Sequence, residues 1–198
     1  VVGMGEIGRA VARKAAGLGF RVICYSRSLV PGRRTPEGYD IYPLEDLLKH
    51  SDVVSFHTAL TPETHHLLNA DNIALMKQDA VVVNTSRGAV IDTQALAQAL
   101  SDGRLWGAGI DVFEEEPLDW DHPLMRAPHT VLSPHVAYYS EESGEELHRR
   151  SMQAALDVVL GRTPQDCLNP EVLKECWEKS QPEQPQTEPM EYCYQCWR

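Results

Sequence analysis

Three polar residues each follow a short apolar run and together carry what the reduction of a ketone needs. Arg87 follows Val81-Val82-Val83-Asn84-Thr85-Ser86, Glu116 closes Asp111-Val112-Phe113-Glu114-Glu115, and His135 follows Val131-Leu132-Ser133-Pro134. An imidazole is the natural proton donor to a carbonyl oxygen near neutral pH. A neighbouring carboxylate would favour the imidazolium and orient it. A guanidinium fork would hold the two oxygens of a substrate carboxylate. Singly, each has a plain surface reading: a loop histidine, one of three adjacent acids, a helix-entry arginine. All three at strand ends of one sheet point to a catalytic set.

A second group lies at the start of the chain. Gly3-Met4-Gly5-Glu6-Ile7-Gly8 is a G-x-G-x-x-G between an apolar pair and a helical pattern. The first glycine permits a tight turn, the second lets a pyrophosphate approach the backbone, and the third lets the helix pack on the strand. The amides that open the helix, from Glu6 and Ile7 on, then face the phosphates. A glycine turn without a ligand is the alternative. The next strand ends at Tyr25, where an Asp or Glu commonly meets the ribose 2′-hydroxyl of NAD. Here Ser26-Arg27-Ser28 follow, with Arg33 and Arg34 beyond. A cation and two hydroxyls would suit a 2′-phosphate, so the expected cofactor is NADP(H) in preference to NAD(H). In the alternative, Arg27 is a solvated loop residue.

These residues need a scaffold of alternating elements. Short apolar strands are expected over Arg21–Tyr25, Asp52–His57, Ala80–Asn84, Gly107–Val112 and Thr130–Ser133, with little polar alternation, as in parallel strands covered on both faces. Ile7, Val11, Ala15 and Leu18 recur at helical spacing, and Gly17 or Gly19 could end that helix. Further helices are expected over Leu44–Lys49, Asn69–Met76, Thr93–Ser101 capped by Asp92, and from Ser140 to about Leu160 with acids at its positive end. Such a series makes an α/β, doubly wound parallel sheet of the Rossmann type. The expected division is a nucleotide-binding domain over 1–162, a return segment over 163–178, and a disordered Pro-, Gln- and Glu-rich tail over 179–198.

Composition excludes several classes. A formal net charge of −11 works against binding nucleic acid or an anionic membrane. No apolar stretch is long enough to span a bilayer and no signal-peptide pattern is present, so a cytoplasmic protein is expected. Five irregularly spaced cysteines do not make a disulfide framework. Cys193 and Cys196 form one C-x-x-C, which supplies two ligands where a structural zinc usually takes four; no metal site is expected. His57 reads as structural, and His65-His66 as surface or capping residues. The chain opens on Val1-Val2-Gly3, shorter than a usual first strand, so an N-terminal truncation is expected.

In this order, GMGEIGRAVA, HTALTPETHHLLN, VVNTSRGAVID, GAGIDVFEEEPL and SPHVAYYSEES resemble the D-isomer-specific 2-hydroxyacid dehydrogenase family over roughly residues 1–170. The stretch from His135 through Glu142 is most similar to the branch of C-terminal-binding proteins and their bacterial dehydrogenase relatives. The resemblance implies His135 as proton donor, Glu116 as its partner and Arg87 as the substrate anchor. It also implies Asp111 at the nicotinamide end, and Thr58 to Thr64 with Thr85 and Ser86 lining the cofactor cleft largely through backbone. Tyr138, also assigned to the cofactor site, stands where corepressor members carry Trp. The family places its nucleotide domain within a flavodoxin-like substrate domain. Most of that domain is missing here, so weak or absent turnover is expected of the chain alone. A small 2-keto or 2-hydroxy acid is the implied substrate and a homodimer the implied assembly. The other implied readings are a corepressor-like NAD(H)-binding protein and an inactive nucleotide-binding fragment.

Overall fold

The computed structural model describes residues 1–172, which fall into two compact units, 1–138 and the chain from Tyr139 onward. The first unit ends before the long helix. The tail cysteines Cys176, Cys193 and Cys196, and the segment expected to be disordered, lie outside the described residues. No described helix is long and apolar enough to cross a membrane.

In the first unit the elements run α1 (Glu6–Gly17), β1 (Ile23–Cys24), β2 (Asp40–Ile41), α2 (Leu44–His50), β3 (Val53–Phe56), α3 (Ala70–Ile73), β4 (Val81–Asn84), α4 (Thr93–Ser101), β5 (Gly107–Ile110) and β6 (Thr130–Leu132). Strands β3-β4-β5-β6 are neighbours in that order and all parallel, as are β1 and β2. Val2 joins the two groups through parallel bridges to Tyr25 and Phe56. Its N–H donates to the Ser55 carbonyl, and its own carbonyl accepts from His57 N. The sheet order is thus β2-β1-Val2-β3-β4-β5-β6. It reverses direction at Val2, and a ligand crevice opens at such a switch point beyond the carboxyl ends of the strands.

Branched apolar residues of the central strands (Val54, Val82, Ile110), of α4 (Leu96, Leu100) and of the turn before β6 (Leu124) form the main core and are almost fully buried. A smaller cluster of Met4, Ala12, Cys24 and Ile41 lies under α1. Here the expected helical stripe differs from the packed one. Ile7 and Leu18 are 68% and 79% exposed, whereas Gly8 and Ala12 are the buried residues of α1. The helix approaches so closely that a Cβ at Gly8 would lie 1.8 Å from the Gly3 carbonyl oxygen, so only its smallest side chains fit the interface. Gly19, at φ +90°, takes the left-handed position after the helix end.

Two other expectations shift. Strand β2 is an additional element, too short to show a period. The helix expected over Asn69–Met76 holds only Ala70–Ile73 and continues as i→i+3 turns at Leu75 and Met76. Helix α4 matches its expected span, and the Asp92 carboxylate accepts from Ala95 N at 2.9 Å.

The second unit contains α5 (Glu141–Val159), which buries none of its residues. It opens with a reciprocal cap: Ser140 Oγ accepts from Ser143 N, and Ser143 Oγ accepts from Ser140 N.

Candidate active site

Register fixes the level of the three candidate catalytic residues. Asn84 lies opposite Ile110, and Ile110 opposite Leu132, so β4, β5 and β6 end side by side. The loops that follow are stitched in the same order. Asp111 N donates to the Asn84 carbonyl, Ser133 N to the Ile110 carbonyl, and His135 N to the Asp111 carbonyl at 2.8 Å. Arg87, Glu116 and His135 therefore rise from three neighbouring strand ends on one edge of the sheet.

His135 and Glu116 meet directly. His135 Nδ1–H donates to Glu116 Oε2 at 2.8 Å, and Glu116 Oε1 accepts from Phe113 N at 3.0 Å. Those two bonds, the one from His135 foremost, hold the Glu116 carboxyl below the usual carboxylate range despite the nearby charge of Asp111. With Nδ1 committed to Glu116, Nε2 is the ring nitrogen left to present a proton. His135 sits at φ +55°, a left-handed conformation uncommon for a residue with a side chain. Such strain persists only where the surroundings over-determine it.

Asp111 supplies that determination. Its buried carboxylate accepts from Ser133 Oγ at 2.6 Å and from the backbone N–H groups of Val136 and Ala137 at 2.9 Å each. Burial alone would raise its pKa. The three hydrogen bonds and the nearby imidazole outweigh burial and hold it below the usual range. The carboxylate implied for the nicotinamide end is, in this structure, the anchor of the loop that carries His135.

The Arg87 loop is built by a residue that sequence reasoning passed over. Buried Asn84 donates from Nδ2 to the Arg87 carbonyl and accepts at Oδ1 from both N and Oγ of Ser86. Arg87 and Thr85 are exposed, and Arg87 Nη1 returns to the Ser86 carbonyl at 2.7 Å. Gly88 sets the loop against its neighbour. A Cβ there would lie 1.9 Å from the carbonyl carbon and oxygen of Phe113 and 2.5 Å from Glu114 N. No side chain fits between the loop bearing Arg87 and the loop bearing Glu116.

Glu114, one of the three adjacent acids, braces the same region. Oε1 accepts from the N and Oγ1 of Thr93, and Oε2 from His66 Nε2 at 2.9 Å. Its partners lie 21 and 48 residues away in sequence, which is why periodicity gave no sign of it. His66, with His65 stacked on it at 4.0 Å between ring centroids, is thus a loop tie. His57 accepts or donates at Nε2 with Ser55 Oγ, and burial pushes its pKa down. Tyr138 meets His135 edge-on at 6.5 Å. Among the described residues no group of three or more His, Cys, Asp or Glu could hold a metal.

The glycine turn lies at the switch point itself. Gly3 has φ +95°, and a Cβ on it would sit 2.5 Å from the His57 carbonyl oxygen. Gly5 differs in kind. A Cβ there would meet nothing within 4 Å, and Gly5 caps α1 without any side-chain hydrogen bond. Nothing inside the fold requires glycine at that position, and the amides that open α1 have no side-chain cap. That space beside uncapped amides fits a pyrophosphate. The buried hydroxyl of Thr58, beside Gly3, finds no hydrogen-bond partner. Thr64 Oγ1 instead folds its own loop, donating to the Ala59 carbonyl and accepting from Thr61 N.

Past the end of β1, Ser26 Oγ and Ser28 Oγ lie 3.4 Å apart. Arg27 Nη1 meets Glu63 Oε2 at 3.2 Å, while Arg34 is taken by Asp40 at 2.7 Å.

Residues 1–137 match the family model of the D-isomer specific 2-hydroxyacid dehydrogenase NAD binding domain. A glyoxylate reductase of Korarchaeum cryptofilum is 41% identical over 174 residues, 88% of this chain and 52% of the relative. Among solved structures, a protein of Thermus thermophilus superposes with a TM-score of 0.76 at 45% identity, covering 83% of this chain and 51% of that one. The NAD-complexed D-isomer specific 2-hydroxyacid dehydrogenase of Lactobacillus delbrueckii ssp. bulgaricus gives 0.74 at 30% identity, covering 85% and 55%. The chain spans about half the length of the curated relatives it matches.

Proposed function

Since the chain belongs to the D-isomer specific 2-hydroxyacid dehydrogenase family, we propose that it serves hydride transfer between a nicotinamide dinucleotide and a small 2-keto or 2-hydroxy acid. The observation that carries this reading is the His135–Glu116 pair, held at 2.8 Å on the sheet edge that also bears the glycine turn. Gly3, Gly5 and Gly8, with the amides of Glu6 and Ile7, would hold the pyrophosphate. Thr58, Thr85, Ser86 and Tyr138 would border the nicotinamide half. The bound nicotinamide supplies or accepts the hydride.

The chain's own residues handle charge and proton. Glu116, kept anionic by its two hydrogen bonds, orients the imidazole through Nδ1 and leaves Nε2 to face the substrate. His135 gives its proton from Nε2 to the substrate oxygen in reduction and takes it back in oxidation. Arg87, exposed beside this pair, receives the substrate carboxylate through its fork. Asp111 works by holding the His135 loop, with its Oδ2 retaining room for one further donor from the ligand.

Ser26, Arg27 and Ser28, in place of an acid at the end of β1, favour NADP(H) over NAD(H). The proposed assembly is a homodimer, as the family resemblance implies. The test is a titration of the chain with NADPH and NADH separately, read by quenching of tryptophan fluorescence, followed by turnover with glyoxylate. Saturable binding, tighter for NADPH, is expected. Failure to bind either dinucleotide would refute the reading. Tighter binding of NADH would refute the cofactor preference alone.

A further inference from the structure

We propose that Glu63 sets how strongly this site discriminates between NADPH and NADH, by competing for the Arg27 guanidinium that would otherwise receive a 2′-phosphate. This rests on the dinucleotide-binding reading above and adds to it a residue from a different part of the chain. Strand β1 is followed by no carboxylate; Ser26, Arg27 and Ser28 stand there. The carboxylate arrives from the loop after β3, 36 residues along the chain, and Glu63 Oε2 lies 3.2 Å from Arg27 Nη1. Strands β1 and β3 flank Val2, whose chain continues into Gly3. The ion pair therefore spans the crevice mouth between the two loops that bracket the glycine turn.

The pair has the marks of a functional contact rather than a structural one. Both side chains are well exposed, at 72% and 64%, and an exposed pair of this kind contributes little to stability. Yet the loop presents the carboxylate in a defined way. Thr61 Oγ1 donates to the same Glu63 oxygen at 2.7 Å, and Thr61 N donates to Thr64 Oγ1 at 2.7 Å. Thr64 Oγ1 in turn donates to the Ala59 carbonyl. Glu63 is aimed by a braced turn at a cation that has no such brace.

The consequence for selectivity follows from charge. A phosphate monoester carries roughly −1.5 to −2 near neutral pH. To bind Arg27 it must displace a carboxylate and then remain near it. A 2′-hydroxyl carries no charge, leaves the pair intact and can donate to the Glu63 carboxylate as it would to an acid at the strand end. The penalty from Glu63 thus falls on NADPH alone. A single negative charge some 6 Å from the phosphate in a wet cleft weakens binding by roughly three- to tenfold. The chain is then tuned to accept both cofactors, with the preference set by Arg27 blunted by Glu63.

The test is titration of the full chain and its Glu63→Gln variant with NADPH and with NADH at low salt. Glu63→Gln is expected to lower the Kd for NADPH by about three- to tenfold and to leave the Kd for NADH within about twofold. In an Arg27→Gln background the same substitution is expected to give a smaller gain for NADPH, because only direct repulsion of the phosphate is left to relieve and no guanidinium is left to release. Intact binding with an unchanged NADPH-to-NADH ratio in Glu63→Gln would overturn this assignment while leaving the dinucleotide reading standing. So would an undiminished gain in the Arg27→Gln background. Wild-type chain that binds neither cofactor would overturn both.

Discussion

Replacing Asp111 by Asn tests whether this residue locks the loop that carries His135. The carboxylate accepts three hydrogen bonds, from Ser133 Oγ and from the amides of Val136 and Ala137. An amide side chain can keep the two that fall on Oδ1. Its Nδ2 then faces the Ala137 N–H, donor against donor. A hydrogen bond to a charged group contributes about 1.5–3 kcal/mol, and the N–H of exposed Ala137 regains part of that from water once the carboxylate is gone. Asp111→Asn should therefore lose about 1–3 kcal/mol, a sizeable share of the roughly 5–15 kcal/mol typical of a domain. In urea unfolding this moves the midpoint down by about 0.5–1.5 M.

The pH dependence supplies a second, independent check. Asp111 has a folded pKa below its ordinary value. Its stabilisation is therefore fully present above the unfolded value of about 3.9 and is lost as pH falls through the folded one. The gap between wild type and variant should be complete near neutral pH and close in acid. Amide exchange at Val136 and Ala137 should accelerate in the variant near neutral pH. A variant within about 0.5 kcal/mol of wild type would refute the anchoring role. So would a gap that does not narrow in acid.

Three other substitutions separate structure from chemistry. Gly5→Val should leave urea stability within about 1 kcal/mol, the range of an altered N-cap, because the added side chain meets open space; it should weaken dinucleotide binding by at least about tenfold through steric exclusion, and undiminished binding in the titration would remove the pyrophosphate from this turn. Gly88→Ala places a Cβ 1.9 Å from Phe113 backbone atoms, and should cost about 3 kcal/mol or more in urea unfolding; a neutral result would mean that the Arg87 and Glu116 loops are not locked together. His135→Gln should bring the weak turnover of the chain with glyoxylate down to background while cofactor affinity stays within about twofold, measured by NADPH absorbance and fluorescence titration respectively. Equal losses in both would assign His135 to cofactor binding instead of proton transfer.

What could be read from the sequence follows a physical line. Local signals carried well: Asp92 as the cap of α4, Ser140 as the cap of α5, and the apolar runs of β3 to β6 all depend on residues within a few positions of one another. The placement of Arg87, Glu116 and His135 on one edge was legible because each lies a few residues past an apolar run, and parallel strands must end on a common edge. Strand β2, two residues long and flanked by loop, carries too little pattern to register. The stripe of Ile7 and Leu18 misled because α1 packs at glycine distance, where only Gly8 and Ala12 fit. Asn84, Glu114 and Glu63 stayed hidden for another reason. Each acts through hydrogen bonds whose meaning depends on which loops meet, and a polar residue in a loop has no period to betray it.

The two ends of the site are built on opposite terms. At the end marked by His135 and Glu116 each loop is clamped to its neighbour: Asp111 to the His135 loop, Gly88 to Phe113, and Glu114 to His66 and Thr93. The proposed proton transfer would draw on that rigidity, because rate depends steeply on the position of the donor. At the end marked by Ser26 and Arg27 the contacts are an exposed ion pair and two hydroxyls 3.4 Å apart. Substitution there disturbs no core residue and leaves the His135–Glu116 geometry untouched. Changes in cofactor preference are therefore cheap for this fold, while changes at Asp111 or Gly88 must be matched by a partner in another loop. A double substitution shows the contrast directly. Arg27→Gln with Glu63→Gln should be additive with any change at His135, since the two groups share no contacts. Asp111→Asn and His135→Gln should instead couple by about 0.5–3 kcal/mol in urea unfolding, since both act on one loop.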